Sequence, residues 1–238
     1  MYPLDSHTRI ALQFSGGKDS LAALYLLRTH WERITVYWLN TGNAFPETHA
    51  LMAQTRDAVP NFVEVQGDQE ASFSQHGYPS DLVPAEHTPI GVACGGSPGP
   101  LIQGRYDCCW RVLMKPLHDR MVEDRITLII RGEKSADAHR AQHGSFFDGI
   151  SYYSPIENWT DTMVLRYLRS QHIALPRFYE EGHNTSFDCM DCTAWWGEGR
   201  AAYLKRHHPA HYERLMSRLN EIEHAILWHA RPLQKELE

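Results

Sequence analysis

The sequence has no apolar run approaching the ~18 residues that a membrane-crossing helix needs. Its first residues, Met1-Tyr2-Pro3-Leu4-Asp5-Ser6-His7, show no charged region followed by a long apolar one. The expectation is a cytoplasmic protein with no membrane role. Basic charge is not in excess either. The formal net charge is −6, so composition offers no global field for capturing nucleic acid, and only a local basic groove stays open. Cysteine is scarce: the five residues are odd in number and clustered, which speaks against a disulfide framework and for a metal site in a reducing compartment. Internal repeats and low-complexity tracts are missing.

What is present is a chain of 238 residues, 42% hydrophobic, enough for one sizeable α/β core. The most informative stretch is Ser15-Gly16-Gly17-Lys18-Asp19-Ser20. It follows the apolar run Ile10-Ala11-Leu12-Gln13-Phe14 and precedes the helix-like Leu21 to Arg28. A strand, a glycine turn and a helix start make an anion site, because glycines let backbone amides approach the anion and the unpaired N–H groups of a helix N-terminus carry partial positive charge. Lys18 adds a full charge. The G-x-x-x-x-G-K-[ST] spacing of the Walker loop is absent. The stretch resembles instead the SGGxDS loop of the PP-loop ATP pyrophosphatases, which implies binding of ATP phosphates and release of pyrophosphate.

Downstream, Ile34 to Leu39 reads as a strand ending at Asn40-Thr41-Gly42, Glu47 to Ala58 as a helix opened by Pro46, and Phe62 to Val65 as a third strand. This alternation predicts a parallel sheet with right-handed crossovers. Ligands of such sheets bind beyond the carboxyl ends of the strands, which makes Asn40, Thr41 and Gly42 nucleotide-site candidates beside Ser15 to Ser20. Residues 66–107, rich in Pro, Gly and Ser, read as a lid or substrate-facing insertion. Cys109 to Val122 reads as a helix disturbed by Pro116. Ile126 to Ile130 is the most continuously apolar strand and is expected to be central. Arg131, Lys134 and Arg140 follow it as candidate clamps for phosphate or acceptor oxygens. Thr160-Asp161 caps a helix through about Gln171, and residues 194–228 read as two helices broken near Pro209. The second carries Met216, Leu219, Ile222, Ile226 and Leu227 on one face, suited to a core or a homodimer contact.

Cys108 and Cys109 are adjacent, and Cys189-Met190-Asp191-Cys192 is a CxxC. Two thiolates from each of two segments supply the ligands of an iron–sulfur cluster or of an all-cysteine zinc site, and spacing alone does not choose. Cys94, beside Gly95 and Gly96, is a candidate persulfide carrier; its plainer reading is an incidental exposed thiol.

With these residues the resemblance widens to the adenylyl-sulfate and phosphoadenylyl-sulfate (APS/PAPS) reductase family of the PP-loop superfamily. Asn40 to Thr48 is similar to its DTG-x-x-F-P-E-T segment, and Cys108-Cys109 with Pro116-Leu117 to its CC-x6-PL pattern. Ser135 with Arg140-Ala141 loosely follows S-x-x-RA, and Pro155 to Thr160 resembles P-L-x-x-W-T. Tyr179, Gly182 and Cys189 to Thr193 resemble Y-x-x-G and C-x-x-CT. The resemblance implies a Rossmann-like PP-loop fold, of the adenine nucleotide alpha hydrolase-like kind, over residues 1–193 with a helical extension at 194–238. It also implies that Cys108, Cys109, Cys189 and Cys192 hold a [4Fe–4S] cluster rather than Zn2+.

Two departures redirect the function. The reductases carry a catalytic cysteine in a C-terminal E-C-G-[LI]-H segment, and here no cysteine follows Cys192. Their phosphate loop is usually degenerate, whereas this one keeps Lys18 and Asp19. The expectation is an enzyme that binds ATP with Mg2+, adenylylates an acceptor and releases pyrophosphate for sulfur insertion. In it Lys18 neutralises the leaving group and Asp19 places magnesium or the loop. The acceptor is a nucleic acid or a small metabolite, and a sulfur-donor protein such as a cysteine desulfurase is the expected partner. The alternatives are a thiol-dependent APS/PAPS reductase and a non-catalytic nucleotide-binding module.

Overall fold

A computed structural model of the chain describes residues 3–96, 102–137, 149–187, 189–196 and 199–238. In chain order, β1 (Ile10–Gln13) leads into α1 (Lys18–Leu26), β2 (Ile34–Asn40), α2 (Pro46–Ala58) and β3 (Phe62–Gln66). Next come α3 (Gln69–His76), β4 (Tyr78–Ser80), α4 (Pro89–Ala93), β5 (Ile102–Gly104) and α5 (Arg105–Cys109), which continues through a π turn (Trp110–Met114) into α6 (Lys115–Glu123). The remainder holds β6 (Leu128–Ile130), β7 (Ser151–Tyr153), α7 (Asp161–Ser170), α8 (Arg177–Glu180), α9 (Arg200–His207) and α10 (Pro209–Glu236).

These elements form two compact units. The first comprises Met1–Asn40, Ala44–Gln66 and Pro116–Asp188, and the second Thr41–Asn43, Gly67–Lys115 and Cys189–Glu238.

The first unit is built on a five-stranded sheet of order β3-β2-β1-β6-β7, parallel throughout. Side chains alternate along each strand, so one sheet has two buried faces. Ile10, Leu12, Val36, Trp38, Leu128 and Ile130 pack on one face with Leu21 and Leu24 of α1, Met52 of α2, and Val164 and Leu168 of α7. Ala11, Tyr37 and Ile129 face the other way, against Met121 of α6. The expected α/β architecture is thus present, with one difference of position. The apolar strand expected at the centre is β6, which lies between β1 and β7, while β1 holds the middle. An unbroken apolar run reports burial on both faces, a property shared by any internal strand. Strand β7 is only three residues long and carries no such signal.

The sheet order reverses at β1, which pairs with β2 on one side and β6 on the other. The segments leaving β1 and β6 therefore open a crevice at their carboxyl ends, the usual ligand position in this architecture. Here the segment after β6 runs against the start of α1. A Cβ on Gly132 would stand 2.4 Å from the Ser20 nitrogen and 2.5 Å from the Asp19 carbonyl carbon. The neighbouring Arg131 donates from Nε to the Gln13 side-chain oxygen of β1 at 2.7 Å, and its guanidinium stacks over Tyr152.

In the second unit, β4 and β5 form a two-stranded parallel sheet. Gln103 of β5 donates to the Gly77 carbonyl at 2.6 Å and accepts from Arg111 at 2.8 Å, both within the unit. The stretch expected to be a lid thus holds α3, β4, α4 and β5, elements too short for a periodicity signal. The disturbance expected at Pro116 takes the form of the π turn just before it, which absorbs the lost helical hydrogen bond. The break near Pro209 lies where expected. The helix beyond it continues through Pro232 to Glu236 and buries Leu215 and Ile222, while Leu227 is exposed. Among the described residues no helix is long and apolar enough to cross a membrane.

Because the Gly132 contact is with backbone, no side-chain rotation relieves it. Gly132→Ala is expected to cost about 1–3 kcal/mol of stability, read as a lower urea midpoint; an unchanged midpoint would show that the two segments do not meet.

Candidate functional site

The loop from Ser15 to Ser20 is built entirely within the first unit. Gly16 has φ +79°, the left-handed region open to glycine, and turns the chain so that Gly17 becomes the N-cap of α1. No side chain of the N-cap itself closes the helix. Instead the Lys18 N–H donates to the Tyr179 hydroxyl at 2.9 Å, and the Ser20 hydroxyl donates to the Gly17 carbonyl at 3.0 Å. Ser15 and Ser20 hydroxyls lie 3.2 Å apart, and the Gly17 N–H donates to the Ser15 oxygen at 3.3 Å. Both serines therefore brace the turn.

Charge concentrates where α1 begins. The Lys18 ammonium lies 3.0 Å from Asp19 Oδ2 and 3.1 Å from Asp161 Oδ1. The Lys134 ammonium lies 2.9 Å from Asp19 Oδ1, 3.0 Å from Asp137 Oδ1 and 3.4 Å from Asp161 Oδ1. Both lysine side chains are only 6% exposed. Burial alone would lower the Lys134 pKa, but hydrogen bonds and charge from Asp19 and Asp137 raise it above its ordinary value. Burial alone would likewise raise that of Asp161, and Lys18 and Lys134 hold it below the usual carboxylate range. Lys134 is thus held as a cation and Asp161 as an anion.

Of the candidates named from sequence, Lys18, Asp19 and Lys134 stand together. Arg131 is turned to Gln13, Tyr152 and the Glu133 carboxylate at 3.3 Å. Asn40 donates to Glu64 at 2.9 Å within the first unit. Thr41 and Gly42 belong to the second unit, where the Thr41 carbonyl accepts from the Gln69 N–H and Gly42 has φ +85°. Arg140 lies outside the described residues. Sequence reasoning missed Asp161, Asp137 and Gly132 as members of this site. In the sequence Asp161 reads only as a helix start, and none of the three carries a motif of its own.

The four paired cysteines all fall in the second unit. Cys108, Cys189 and Cys192 are buried and Cys109 is half-buried. Burial pushes the Cys108 thiol up to about 12, helped by Cys109 and Cys192, and the Cys109 thiol to about 11, helped by Cys192. Residues far apart in sequence are therefore electrostatic neighbours here. The CxxC turn is held by Arg200, itself 3% exposed, which donates to the carbonyls of Cys189, Met190 and Cys192. Cys189 sits in the left-handed region at φ 59°, and the Met190 N–H donates to the Asn43 carbonyl at 2.7 Å. Asp191 meets Arg218 at 3.2 Å and His211 at 3.2 Å, both on α10, and Thr193 donates to the Pro79 carbonyl at 2.6 Å. Among the described residues, no group of three or more His, Cys, Asp or Glu side chains is gathered to hold a metal ion. The chemistry of the donor set does fit an iron–sulfur cluster: soft thiols on two segments, shielded from water, beside a buried guanidinium that offsets thiolate charge. Cys94 is exposed, at the end of α4.

The sequence pattern of the phosphoadenosine phosphosulfate reductase domain matches residues 9–195. Among solved structures, the phosphoadenylyl-sulfate reductase of Candida auris in complex with phosphate is similar in fold, with a TM-score of 0.56 at 14% identity, covering 79% of this chain and 84% of that one. A predicted subunit of a tRNA methyltransferase from Methanocaldococcus jannaschii aligns at a TM-score of 0.36 and 18% identity, over 68% of this chain and 73% of that one. Comparison with curated protein sequences gives no significant match.

Exposure orders the cysteines by reactivity. In metal-free folded protein, iodoacetamide is expected to modify Cys94 well before Cys108 and Cys192, as mapped by mass spectrometry; equal labelling would contradict the burial described.

Proposed function

The chain belongs to the phosphoadenosine phosphosulfate reductase domain family, and we propose that within it this protein is an ATP pyrophosphatase that adenylylates an acceptor and releases pyrophosphate in the service of sulfur insertion. The observation that carries this reading is the pair of buried ammonium groups, Lys18 and Lys134, meeting at Asp19 beside an intact Ser15-to-Ser20 loop. Cations buried at a helix N-terminus suit an oxyanion that carries several charges. The similar Candida auris reductase is a phosphate complex, an oxyanion of the kind this reading places on the loop.

In the reaction, the Ser15-to-Ser20 loop and the Lys18 and Lys134 ammonium groups hold the β- and γ-phosphates. A lone pair of the acceptor attacks the α-phosphorus, the bond to the bridging oxygen breaks, and the electron pair leaves with pyrophosphate. Charge grows on that leaving group, so Lys18, fixed before the step, stabilises the transition state more than the ground state. Magnesium would supply further neutralisation through oxygen ligands, and Asp19 is the loop carboxylate that would help place it or the loop. Asn40 and Arg131 complete the proposed set within the first unit, while Thr41, Gly42 and Arg140 stay candidates from the sequence alone.

Cys108, Cys109, Cys189 and Cys192 would hold a [4Fe–4S] cluster, which with four cysteine ligands supplies structural or electrostatic support rather than an open iron position. A tetrathiolate zinc site is the alternative for the same residues. Transferable sulfur then comes from a donor protein, with Cys94 as the exposed thiol able to relay it to an acceptor that is a nucleic acid or a small metabolite.

Lys18→Ala is expected to lower pyrophosphate release from magnesium ATP by about 100-fold or more in anaerobically purified protein, with the iron content unchanged. Unchanged release would overturn the reading. Sulfite formed from adenylyl sulfate without ATP turnover would favour a thiol-dependent reductase.

A further inference from the structure

The ammonium groups assigned to phosphate are already neutralised by the protein itself. Two lysines, Lys18 and Lys134, meet three carboxylates, Asp19, Asp137 and Asp161, so the group carries a net charge of about −1. An ammonium has three N–H donors. Lys134 lies within ion-pair distance of three carboxylates and Lys18 of two. A phosphate oxygen can reach Lys134 only as one carboxylate withdraws.

The three carboxylates are not equivalent. Asp19 uses both of its oxygens, one on each lysine, and its side chain is 23% exposed. Asp137 is tied back through Oδ2 to the Lys134 N–H at 2.7 Å. Asp161 is 51% exposed and makes the longest of the Lys134 contacts, 3.4 Å. A single oxygen, Oδ1, serves both lysines, so one rotation of this side chain frees a donor on each. Its backbone need not move, because the Thr160 side chain caps α7 by accepting from the Met163 N–H at 3.3 Å. The first turn of that helix also stabilises the carboxylate after it leaves the lysines.

We propose that Asp161 is an internal stand-in for phosphate on Lys18 and Lys134, displaced by the incoming polyphosphate, and that its charge makes the site selective for metal-complexed over metal-free nucleotide. The proposal rests on the reading of the loop as a polyphosphate site. Metal-free ATP brings about four negative charges to a group already net negative, whereas a divalent cation halves that charge. Asp161 is a selectivity residue here, not a catalytic one.

The test is calorimetric binding of a non-hydrolysable ATP analogue and of inorganic tripolyphosphate, each with magnesium and with EDTA, to wild type, Asp161→Asn and Asp161→Glu. Asp161→Asn is expected to bind both metal-free probes about tenfold more tightly than wild type, the gain for relieving one half-exposed charge contact of roughly 1.4 kcal/mol. Its dependence on magnesium should shrink, and Asp161→Glu should behave as wild type. A purely structural role for Asp161 would weaken binding with and without magnesium alike. Metal-free binding by Asp161→Asn that equals or falls below that of wild type, while wild type binds the magnesium forms, overturns the proposal alone. Asp161→Ser gives the same comparison should the Asn variant not fold. No binding of either probe by any of these proteins overturns the polyphosphate reading and this proposal with it.

Discussion

Two ammonium groups buried at one end of a parallel sheet can remain charged only if carboxylates are brought to them, because an unpaired buried charge costs several kcal/mol. Lys18 and Lys134 impose this requirement on the first unit. Meeting it takes a carboxylate from the loop itself, one from the segment after β6 and one from the start of α7. The β6 segment must then lie on the backbone of α1, and only glycine at 132 lets it approach that closely. The apolar packing of β1, β6, α1 and α7 supplies the rigid frame. The charged group thus fixes a cluster of ion pairs at one place on the sheet-and-helix scaffold.

The same logic with different chemistry governs the thiols of the second unit. A turn with Cys189 in the left-handed region and three carbonyls pointed inward is not stable alone. Arg200 satisfies those carbonyls at once, in the forked geometry that suits a guanidinium, while Asp191 is anchored to α10 through Arg218 and His211. The long C-terminal helix is therefore more than an extension: it supplies the outer partners of the CxxC turn. Burial makes the Cys108, Cys109 and Cys192 thiols favour their protonated form, so any metal bound there would release protons.

Much of the fold and site can be read directly along the chain, because the physics involved is local. Alternating strands and helices, the glycines and lysine of Ser15 to Ser20, and the cysteine pairs at 108–109 and 189–192 are all encoded within a few residues of one another. The β7 strand and the elements between residues 69 and 104 are not legible there, since pieces of three to eight residues display little periodicity and take their conformation from what they pack against.

The sequence by itself determined the family pattern, the parallel α/β architecture and the candidate anion loop, each resting on backbone geometry and neighbouring residue types. Tertiary structure alone decided that Asp137 and Asp161 neutralise the two lysines, that Tyr179 closes the start of α1, that Gly132 must lack a side chain, and that Arg200 holds the CxxC turn. The physical reason is distance. Electrostatic pairing and close packing act over a few ångströms of space, and residues separated by more than a hundred positions, such as Lys18 and Asp161, become neighbours only once the sheet has formed.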